Sequence, residues 1–218
     1  VIIGSQEWMM ENLKVTRYSN GDPIQHVSNN ATWSNLNTAT EKGAFCNYNN
    51  DASNVTTYGR LYNWYAASDA RNIAPAGFRV PSRADWNEME DYLGSSGSGS
   101  TVNGIGRKLK ETGTIHWTSP NDATNISGFS ALPGGYRSFG GSFQQIRDRA
   151  RLWSTTISGG WAFFRELYYS SDDIVYVIVA PNKDNYRLLG LSVRCVRDIQ
   201  KINASAGSGG TISPAGQV

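Results

Sequence analysis

The sequence predicts an α+β domain in which two helices pack on a twisted, mainly antiparallel β-sheet. Residues 128–198 carry the strongest signal, because four runs rich in aromatic and β-branched residues alternate there with Gly, Ser, Asp and Asn. Upstream, two segments have apolar residues at helical spacing. The 23 glycines among 218 residues indicate a loop-rich chain. We therefore expect the C-terminal sheet to support the rest of the domain and to carry its functional surface.

The two predicted helices differ in how clearly their ends are marked. The first covers residues 59–70, where four residues recur at i, i+3, i+4 and i+7: Leu61, Trp64, Tyr65 and Ser68. The second begins after Ser82, an N-cap residue with Asp85 three positions later, and ends at Gly94. Its apolar face consists of Trp86, Met89 and Leu93. Stripes of this kind are typical of a buried core, so we expect both helices to pack under the sheet.

The charge of the chain is nearly balanced, with 20 Lys and Arg residues against 18 Asp and Glu residues. Nucleic acids and anionic membranes select a basic excess, so neither is expected as the main partner. No run approaches the roughly 20 apolar residues of a membrane-spanning helix. The first residues also lack the basic region and the hydrophobic core of a signal peptide. We expect the chain to be a monomeric module taken from a larger protein.

The composition changes after the last predicted strand. Residues 1–198 are predicted to form the domain. Residues 199–218 are predicted to be a linker and the start of a following domain, because residues 204–210 are small and flexible and residues 211–214 resemble the beginning of a strand.

The two cysteines, Cys46 and Cys195, leave two interpretations open. A disulfide between them would close a loop of about 150 residues and contribute roughly 4–5 kcal/mol in the chain-entropy model. Two buried free thiols are the alternative. The Asn- and Ser-rich composition favours an extracellular setting, in which a disulfide would persist.

No catalytic constellation stands out along the chain. His26 and His116 are far apart, and neither has the neighbouring Cys or His of a zinc site. Glu111 and Glu166 would be the carboxylate pair of a glycoside hydrolase. Acids this far apart in sequence are, however, usually solvated surface residues. The sequence therefore predicts a protein that is not an enzyme.

One loop holds oxygen ligands of the kind that calcium takes. Asn121, Asp122 and Asn125 lie close together in sequence, and Ca²⁺ binds about six to eight such oxygens. The regular Asp-x-Asp-x-Asp-Gly spacing is missing, and clusters of Asn and Asp mostly form turns. No cofactor is predicted, and a structural calcium in this loop is the alternative.

Five phrases of the sequence occur in a familiar order. They are residues 3–14 (IGSQEWMMENLK), 59–67 (GRLYNWYAA), 75–82 (PAGFRVPS), 128–137 (GFSALPGGYR) and 192–198 (SVRCVRD). Over about residues 2–198 the chain resembles the Fibrobacter succinogenes major paralogous domain. The resemblance implies a branch of the C-type lectin fold, related to the formylglycine-generating enzyme type, in surface and secreted bacterial proteins. It implies no general activity, and Cys195 lacks the closely spaced partner on which formylglycine-generating relatives rely.

The last third departs from the Asn-, Tyr- and Ser-rich pattern of this family. Arginine and apolar residues stand there between the fixed phrases. Such replacement resembles the variable proteins of diversity-generating retroelements, which place variation on a ligand-binding face near the C-terminus of a C-type lectin fold. The resemblance implies a variable-type binding face in this part of the chain.

Eight residues are predicted to contact a ligand: Ile146, Arg147, Arg149, Arg151, Trp161, Phe163, Arg165 and Tyr176. The three arginines from position 147 to 151 alternate, and so do three residues from position 161 to 165, so each set is expected on one side of a strand. Arg and aromatic residues dominate binding hot spots. A solvated strand face beside Asp148 is the alternative for the arginines. Residues 174–179 are apolar without alternation and are predicted to be a buried strand, with an exposed apolar loop as the alternative.

The sequence thus predicts a non-enzymatic, extracellular or cell-surface module that binds a macromolecular ligand, a protein rather than a sugar. The alternatives are a carbohydrate-active or degenerate formylglycine-type enzyme and a structural spacer in a surface protein. An enzyme would present a cleft with convergent titratable groups. A binding module would present an exposed face rich in aromatic residues and Arg, and a spacer would present neither.

Overall fold

The computed structural model describes residues 1–36, 42–95, 100–179 and 186–199 and is a mixed α+β chain. Its strands are β1 (Ile2–Ile3), β2 (Gln6–Trp8), β3 (Gln25–His26), β4 (Ala44–Cys46), β5 (Leu61–Tyr62), β6 (Thr101–Val102), β7 (Gly134–Arg137), β8 (Phe143–Ile146), β9 (Arg149–Ser158), β10 (Trp161–Tyr168), β11 (Ile174–Val179) and β12 (Val196–Asp198). Its helices are α1 (Asn30–Ser34), α2 (Ser53–Tyr58), α3 (Trp64–Ala67), α4 (Arg83–Tyr92) and α5 (Gly106–Leu109), with 3₁₀ turns at Tyr48–Asn50 and Tyr186–Leu188.

Six strands form the largest sheet, in the order β6–β11–β10–β9–β7–β8. β10 pairs antiparallel with both neighbours, so that Phe164 lies opposite Trp153 of β9 and Val177 of β11. β7 joins β9 in parallel, with Gly135 opposite Ala150, and forms an antiparallel hairpin with β8. The prediction of a mainly antiparallel sheet in the last third is confirmed.

β11 confirms the strand that the sequence predicts over residues 174–179, although its burial is uneven. Ile174 is buried, whereas Ile178 is 50% exposed. β6 pairs only with the first two residues of β11, Ile174 and Val175. The second half of the strand therefore lies near the surface.

A three-stranded ribbon joins the two ends of the domain, with β2 between β1 and β12. Val1 and Trp8 exchange backbone hydrogen bonds at one end of this ribbon. Asp198 lies opposite Gln6 at the other end. A second small sheet consists of β3, β4 and β5. Backbone hydrogen bonds thus hold the first and last strands of the domain together.

The six-stranded sheet separates two apolar cores. Successive side chains of a strand point to opposite faces of a sheet. Trp153 and Phe164 accordingly belong to a first core together with Leu61 and other residues of the N-terminal half. Leu152 belongs to a second core that includes Trp86 of α4. Both faces of the sheet are therefore covered along part of their length.

Helix α4 begins and ends where the sequence predicts. The Ser82 hydroxyl accepts a hydrogen bond from the backbone N–H of Asp85 at 3.2 Å, and the Asp85 carboxylate accepts one from the backbone N–H of Ser82 at 2.7 Å. These two bonds complete a capping box. Gly94 follows the helix with a φ of 90°, which a residue without Cβ adopts easily. Local signals alone were sufficient for this element.

The helix predicted over residues 59–70 is wrong in its extent. Leu61–Tyr62 form strand β5, and the helix α3 covers only Trp64–Ala67. The backbone N–H of Tyr62 donates to the carbonyl oxygen of Leu191 at 2.8 Å. Pairing with a segment far along the chain thus replaces the hydrogen bonds that a continuous helix would have made.

Asn63 marks the start of the short helix α3. Its side-chain oxygen accepts a hydrogen bond from the backbone N–H of Ala66 at 3.0 Å, as an N-cap residue does. Leu61 and Trp64 are nevertheless buried, as their spacing predicts. The apolar pattern therefore identified core residues correctly while it misidentified the backbone conformation that presents them.

Cys46 and Cys195 are both buried free thiols. Of the two interpretations of the sequence, the disulfide is the one that the structure contradicts. Burial raises the pKa of each thiol to about 12, because a thiolate would lose its hydration. Both groups are therefore protonated at neutral pH and behave as small apolar core residues.

Strand β12 ends at Asp198, and the backbone N–H of Ile199 donates to the carbonyl oxygen of Ser5 at 2.9 Å. The predicted linker and following domain lie outside the described residues from position 200 onward. Within the described ranges, no helix is long and apolar enough to cross a membrane.

The substitution Trp86→Ala is expected to lower the free energy of unfolding by on the order of 3–5 kcal/mol. The indole is completely buried, with its ring centroid 4.7 Å from that of Trp8. Trp161→Ala is the control, since that indole is 38% exposed and its loss should cost about 1 kcal/mol or less. Urea unfolding followed by circular dichroism measures both. An unchanged midpoint for Trp86→Ala would contradict its place in the core.

Candidate functional site

The eight predicted contact residues are divided between the two faces of the six-stranded sheet. Arg149 and Arg151 lie on one face, whereas Phe163 and Arg165 lie on the other. Trp161 stands at the far end of the β9–β10 hairpin. Because β9 has 10 residues, Trp161 is about 30 Å along the strand direction from Arg149. The eight residues therefore do not form one surface.

Arg147 does not continue the predicted alternation along β9. It lies in the turn between β8 and β9, with a φ of 70°. Its guanidinium donates to the carbonyl oxygens of Ile115 at 2.9 Å and Thr114 at 3.1 Å, so the exposed side chain is held against a neighbouring loop. Ile146, the residue before it, is half-buried and packs against the first core. The expectation that three arginines share one side of a strand is wrong for Arg147.

Arg149, Arg151 and Glu166 form an ion-pair triad on the first face. Arg149 Nη1 donates to Glu166 Oε1, and Arg151 Nε donates to Glu166 Oε2 at 2.5 Å. Glu166 is buried, so its charge is partly removed from water and both of its oxygens are occupied. The two arginines are thus paired with a neighbouring strand instead of standing on a solvated face. With two cations and one anion, the triad carries one net positive charge.

The two carboxylates considered for glycoside hydrolysis are engaged separately. Glu111 pairs with Nδ1 of His116 at 2.8 Å. Glu166 is held by Arg149 and Arg151 in the triad. The described contacts thus give the two carboxylates separate partners.

Arg165 is buried on the second face of the sheet, contrary to its prediction as a ligand contact. Its Nε donates to Glu90 Oε1 at 2.5 Å, and its Nη2 donates to Asn87 Oδ1 at 2.7 Å. Both partners lie on α4, so Arg165 fixes that helix to β10. Desolvation by burial raises the pKa of Glu90, and the hydrogen bond from Arg165 opposes that rise.

Phe163 and Tyr176 form the floor of a shallow groove beside α4. Their rings stack with 5.1 Å between centroids and 11° between planes, and both residues are buried. The Arg83 guanidinium lies 4.6 Å from the Tyr176 ring. Trp161 and Ile178 complete the groove, whose volume is about 370 Å³. We call it the tip groove, because it lies at the tip of the β9–β10 hairpin.

A larger cleft, with a volume of about 650 Å³, opens on the first face of the sheet. Three separate segments supply its walls: the β7–β8 hairpin, the middle of the sheet and the turn before residue 190. The side chains that dominate the lining are Tyr136, Phe139, Gln144, Arg151, Phe164, Val177, Tyr186 and Leu189. Ile178 lines both this cleft and the tip groove.

Arg151 is the member of the triad that enters the cleft. Its guanidinium carbon lies 3.8 Å from the centroid of the Tyr136 ring and 5.4 Å from that of Phe164. The Tyr136 hydroxyl donates to the side-chain oxygen of Gln144. Arg149 lies instead over the ring of Tyr168, away from the cleft lining. Among the described lining residues, the cleft therefore has one cationic side chain, and its guanidinium contacts two aromatic rings.

Sequence reasoning missed most of this cleft. Of the eight predicted residues, only Arg151 is among its lining side chains. Tyr136 belongs to the motif at residues 128–137, which is interpreted as structural framework. Phe139 and Tyr186 have no local sequence signal that marks them as ligand contacts. The parallel pairing of Gly135 with Ala150 brings Tyr136 beside Arg151, and such pairing is not visible in a single sequence.

The asparagine-rich loop considered for calcium is held by its own hydrogen bonds. Asn121 donates to the carbonyl oxygens of Glu111 and Gly113. Asn125 accepts from the backbone N–H of Ser130 and donates to its hydroxyl. Across the ranges that the structure describes, no three His, Cys, Asp or Glu side chains gather as metal ligands.

The family of the chain is identified by a match along most of its sequence and not by any single residue. Residues 1–197 match the family model described as the Fibrobacter succinogenes major domain. The chain belongs to this family. No curated protein and no solved structure matches the chain. In this Fibrobacter succinogenes major domain, the matched residues include all strands of the six-stranded sheet and all the described residues that line the cleft.

Glu166→Gln is expected to lower the free energy of unfolding by on the order of 2–3 kcal/mol, because it leaves Arg149 and Arg151 partly buried without their anion. Arg149→Gln is the matched control and should cost about 1 kcal/mol or less, since Glu166 keeps its bond to Arg151. Unfolding in urea measures the difference between the free energies of unfolding of the two variants. Equal losses in the two variants would refute a triad centred on Glu166.

Proposed function

We propose that this chain is a non-enzymatic, monomeric ligand-binding module of an extracellular or cell-surface protein, and that its ligand occupies the cleft. The observation that carries the proposal is the cleft itself, with its aromatic walls and one arginine. Its volume of about 650 Å³ lies within the range of about 300–1,000 Å³ that small-ligand sites usually have. Apolar walls with few polar groups are the usual composition of such sites.

The lining of the cleft supports binding rather than catalysis. Among the described residues that form it, there is no Asp, Glu, His, Cys or Lys side chain. An active site for hydrolysis needs a general acid or base within reach of the substrate. The formylglycine-type chemistry is also unsupported, because Cys46 and Cys195 are buried and protonated. A spacer would need neither the cleft nor the arginine.

A protein is the ligand class we propose, rather than a free sugar or a nucleic acid. The cleft offers few side chains that could pair with sugar hydroxyls, chiefly Gln144 and Ser138, beside several aromatic rings. The exposed side chains of Trp161 and Ile178 lie next to it in the tip groove and would extend the contact with a macromolecule. The balanced charge of the chain offers no basic surface for nucleic acid.

We further propose that the domain has the arrangement of a C-type lectin fold and that its binding face is of the variable type. The ribbon in which β12 pairs with the N-terminal strand β2 supports the first part of this proposal. Support for the second part comes from four lining residues of the cleft and the tip groove that lie where the sequence departs from the family pattern: Arg151, Phe163, Val177 and Ile178.

Sequencing the same locus in sibling isolates tests the variable face. We expect codon changes to concentrate at lining positions such as Gln144, Arg151 and Ile178. Buried framework positions such as Trp153 and Arg194 serve as the internal control and should stay constant, because their loss would unfold the domain. Changes spread evenly over residues 1–198 would refute diversification of the binding face.

Binding at the cleft is tested by amide-detected NMR with a library of acidic, basic and neutral fragments. We expect ligands to shift the backbone amides of Tyr136, Arg151 and Val177. Gln144→Trp is designed to fill the cleft from its exposed rim with little effect on folding, and it should abolish these shifts. Fragment shifts that Gln144→Trp leaves unchanged, or no shifts at these amides, would refute the cleft as the site.

A further inference from the structure

Arg151 has donor groups that the protein does not use. Its Nε is committed to Glu166 at 2.5 Å. Within the described part of the chain, its Nη1 and Nη2 have no hydrogen-bond acceptor, and the residue lines the cleft. A guanidinium presents such paired donors in the geometry that matches the two oxygens of a carboxylate.

The position of this guanidinium is fixed in advance by its neighbours. The ion pair with Glu166 holds Nε, and the Tyr136 ring lies against the guanidinium at 3.8 Å. A long arginine side chain normally loses much rotational freedom on binding a ligand. Here most of that ordering occurs in the free protein, and preorganisation of this kind favours affinity.

The charge around the cleft selects an anion. Both Glu166 oxygens are occupied by arginines, and Glu166 is the carboxylate that pairs with Arg151. The described lining itself contains no acidic side chain. The Arg151 guanidinium therefore faces a ligand without a competing anion among the described lining residues.

The remaining walls select an apolar group beside that anion. Phe139 and Tyr186 pack edge to face with 5.7 Å between their centroids. Leu189 and Val177 add aliphatic surface to the lining. An aromatic or branched side chain placed there would be removed from water, and such burial contributes roughly 25 cal/mol for each Å² of apolar surface.

We propose that the cleft binds a carboxylate joined to an aromatic or large apolar group, with Nη1 and Nη2 of Arg151 donating to the two carboxylate oxygens. This inference rests on the proposed function and names the ligand class of the same site. In a protein ligand, two sources supply this chemistry. One is the C-terminal carboxylate of a chain that ends in an apolar residue, and the other is an Asp or Glu side chain next to an aromatic residue.

Four small probes separate the two sources and the role of charge. N-acetyl-phenylalanine represents a chain end, and its primary amide is the neutral control. N-acetyl-aspartyl-phenylalanine amide represents a side-chain carboxylate, and its asparaginyl analogue is the neutral control. Amide-detected NMR titration gives each dissociation constant. We expect at least one acid to bind about 10-fold more tightly than its own control, with shifts at Tyr136, Arg151 and Val177.

Two variants with the same change of charge test the residue assignment. Arg151→Gln should remove the preference for the acid over its neutral control. Arg149→Gln removes the other cation of the triad, which does not line the cleft, and should leave the preference within about 3-fold of the parent value. Chemical-shift maps recorded without probe serve as the control that each variant keeps the native fold.

The outcomes separate failure of this inference from failure of the proposed function. Equal binding of acids and neutral controls in the cleft would overturn the carboxylate assignment and leave the cleft as a binding site. Equal loss of preference in both variants would overturn the role of Arg151, because the effect would then be one of overall charge. If neither the probes nor the fragment library shift any cleft amide, the proposed function fails together with the inference.

Discussion

Arg194 is a fully buried arginine, and the hydrogen bonds that the described residues give its guanidinium go to neutral oxygens. Its nitrogens donate to the side-chain oxygen of Asn12 and to the carbonyl oxygens of Phe129 and Ser130. Burial lowers the pKa of Arg194 to about 9. Arg137 is likewise buried and binds neutral oxygens, among them the Val27 carbonyl at 2.6 Å. In a chain so rich in loops, the hydrogen bonds of these two side chains connect segments that are far apart in sequence and that strands or helices do not connect.

The sequence was informative wherever the deciding interactions are local. Helix α4 could be predicted because its capping residues, apolar face and terminal glycine lie within one short segment. The segment around Leu61 could not, since its backbone partner is Leu191, and the same apolar residues fit both a strand and a helix. The candidate site shows the same contrast between local and long-range interactions. Alternation placed Arg149 and Arg151 on one face, but only the fold shows that Glu166 pairs with both and that Tyr136 lies beside one of them.

The two faces of the sheet have different roles because different elements cover them. On the second face, the bonds from Arg165 to Glu90 and Asn87 hold β10 against α4, and the shallow tip groove lies beside this contact. On the first face, the β7–β8 hairpin packs against the core around Trp153 through Phe143 and Ile146, and the cleft lies between the outer part of the hairpin and the sheet. A substitution at the rim of the cleft therefore changes the surface of the cleft without opening either core.

The ribbon of β1, β2 and β12 also determines how the domain would respond to mechanical load. β1 and β12 run in the same direction on either side of β2, with Val1 at the Trp8 end and Asp198 at the Gln6 end. A pulling force applied to Val1 and Asp198 would act along the strands and load their hydrogen bonds together, in shear, instead of opening them one by one. Because Val1 and Asp198 are offset by only two residues along β2, the two attachment points are about 7 Å apart along the strand, so the folded domain adds little length between them.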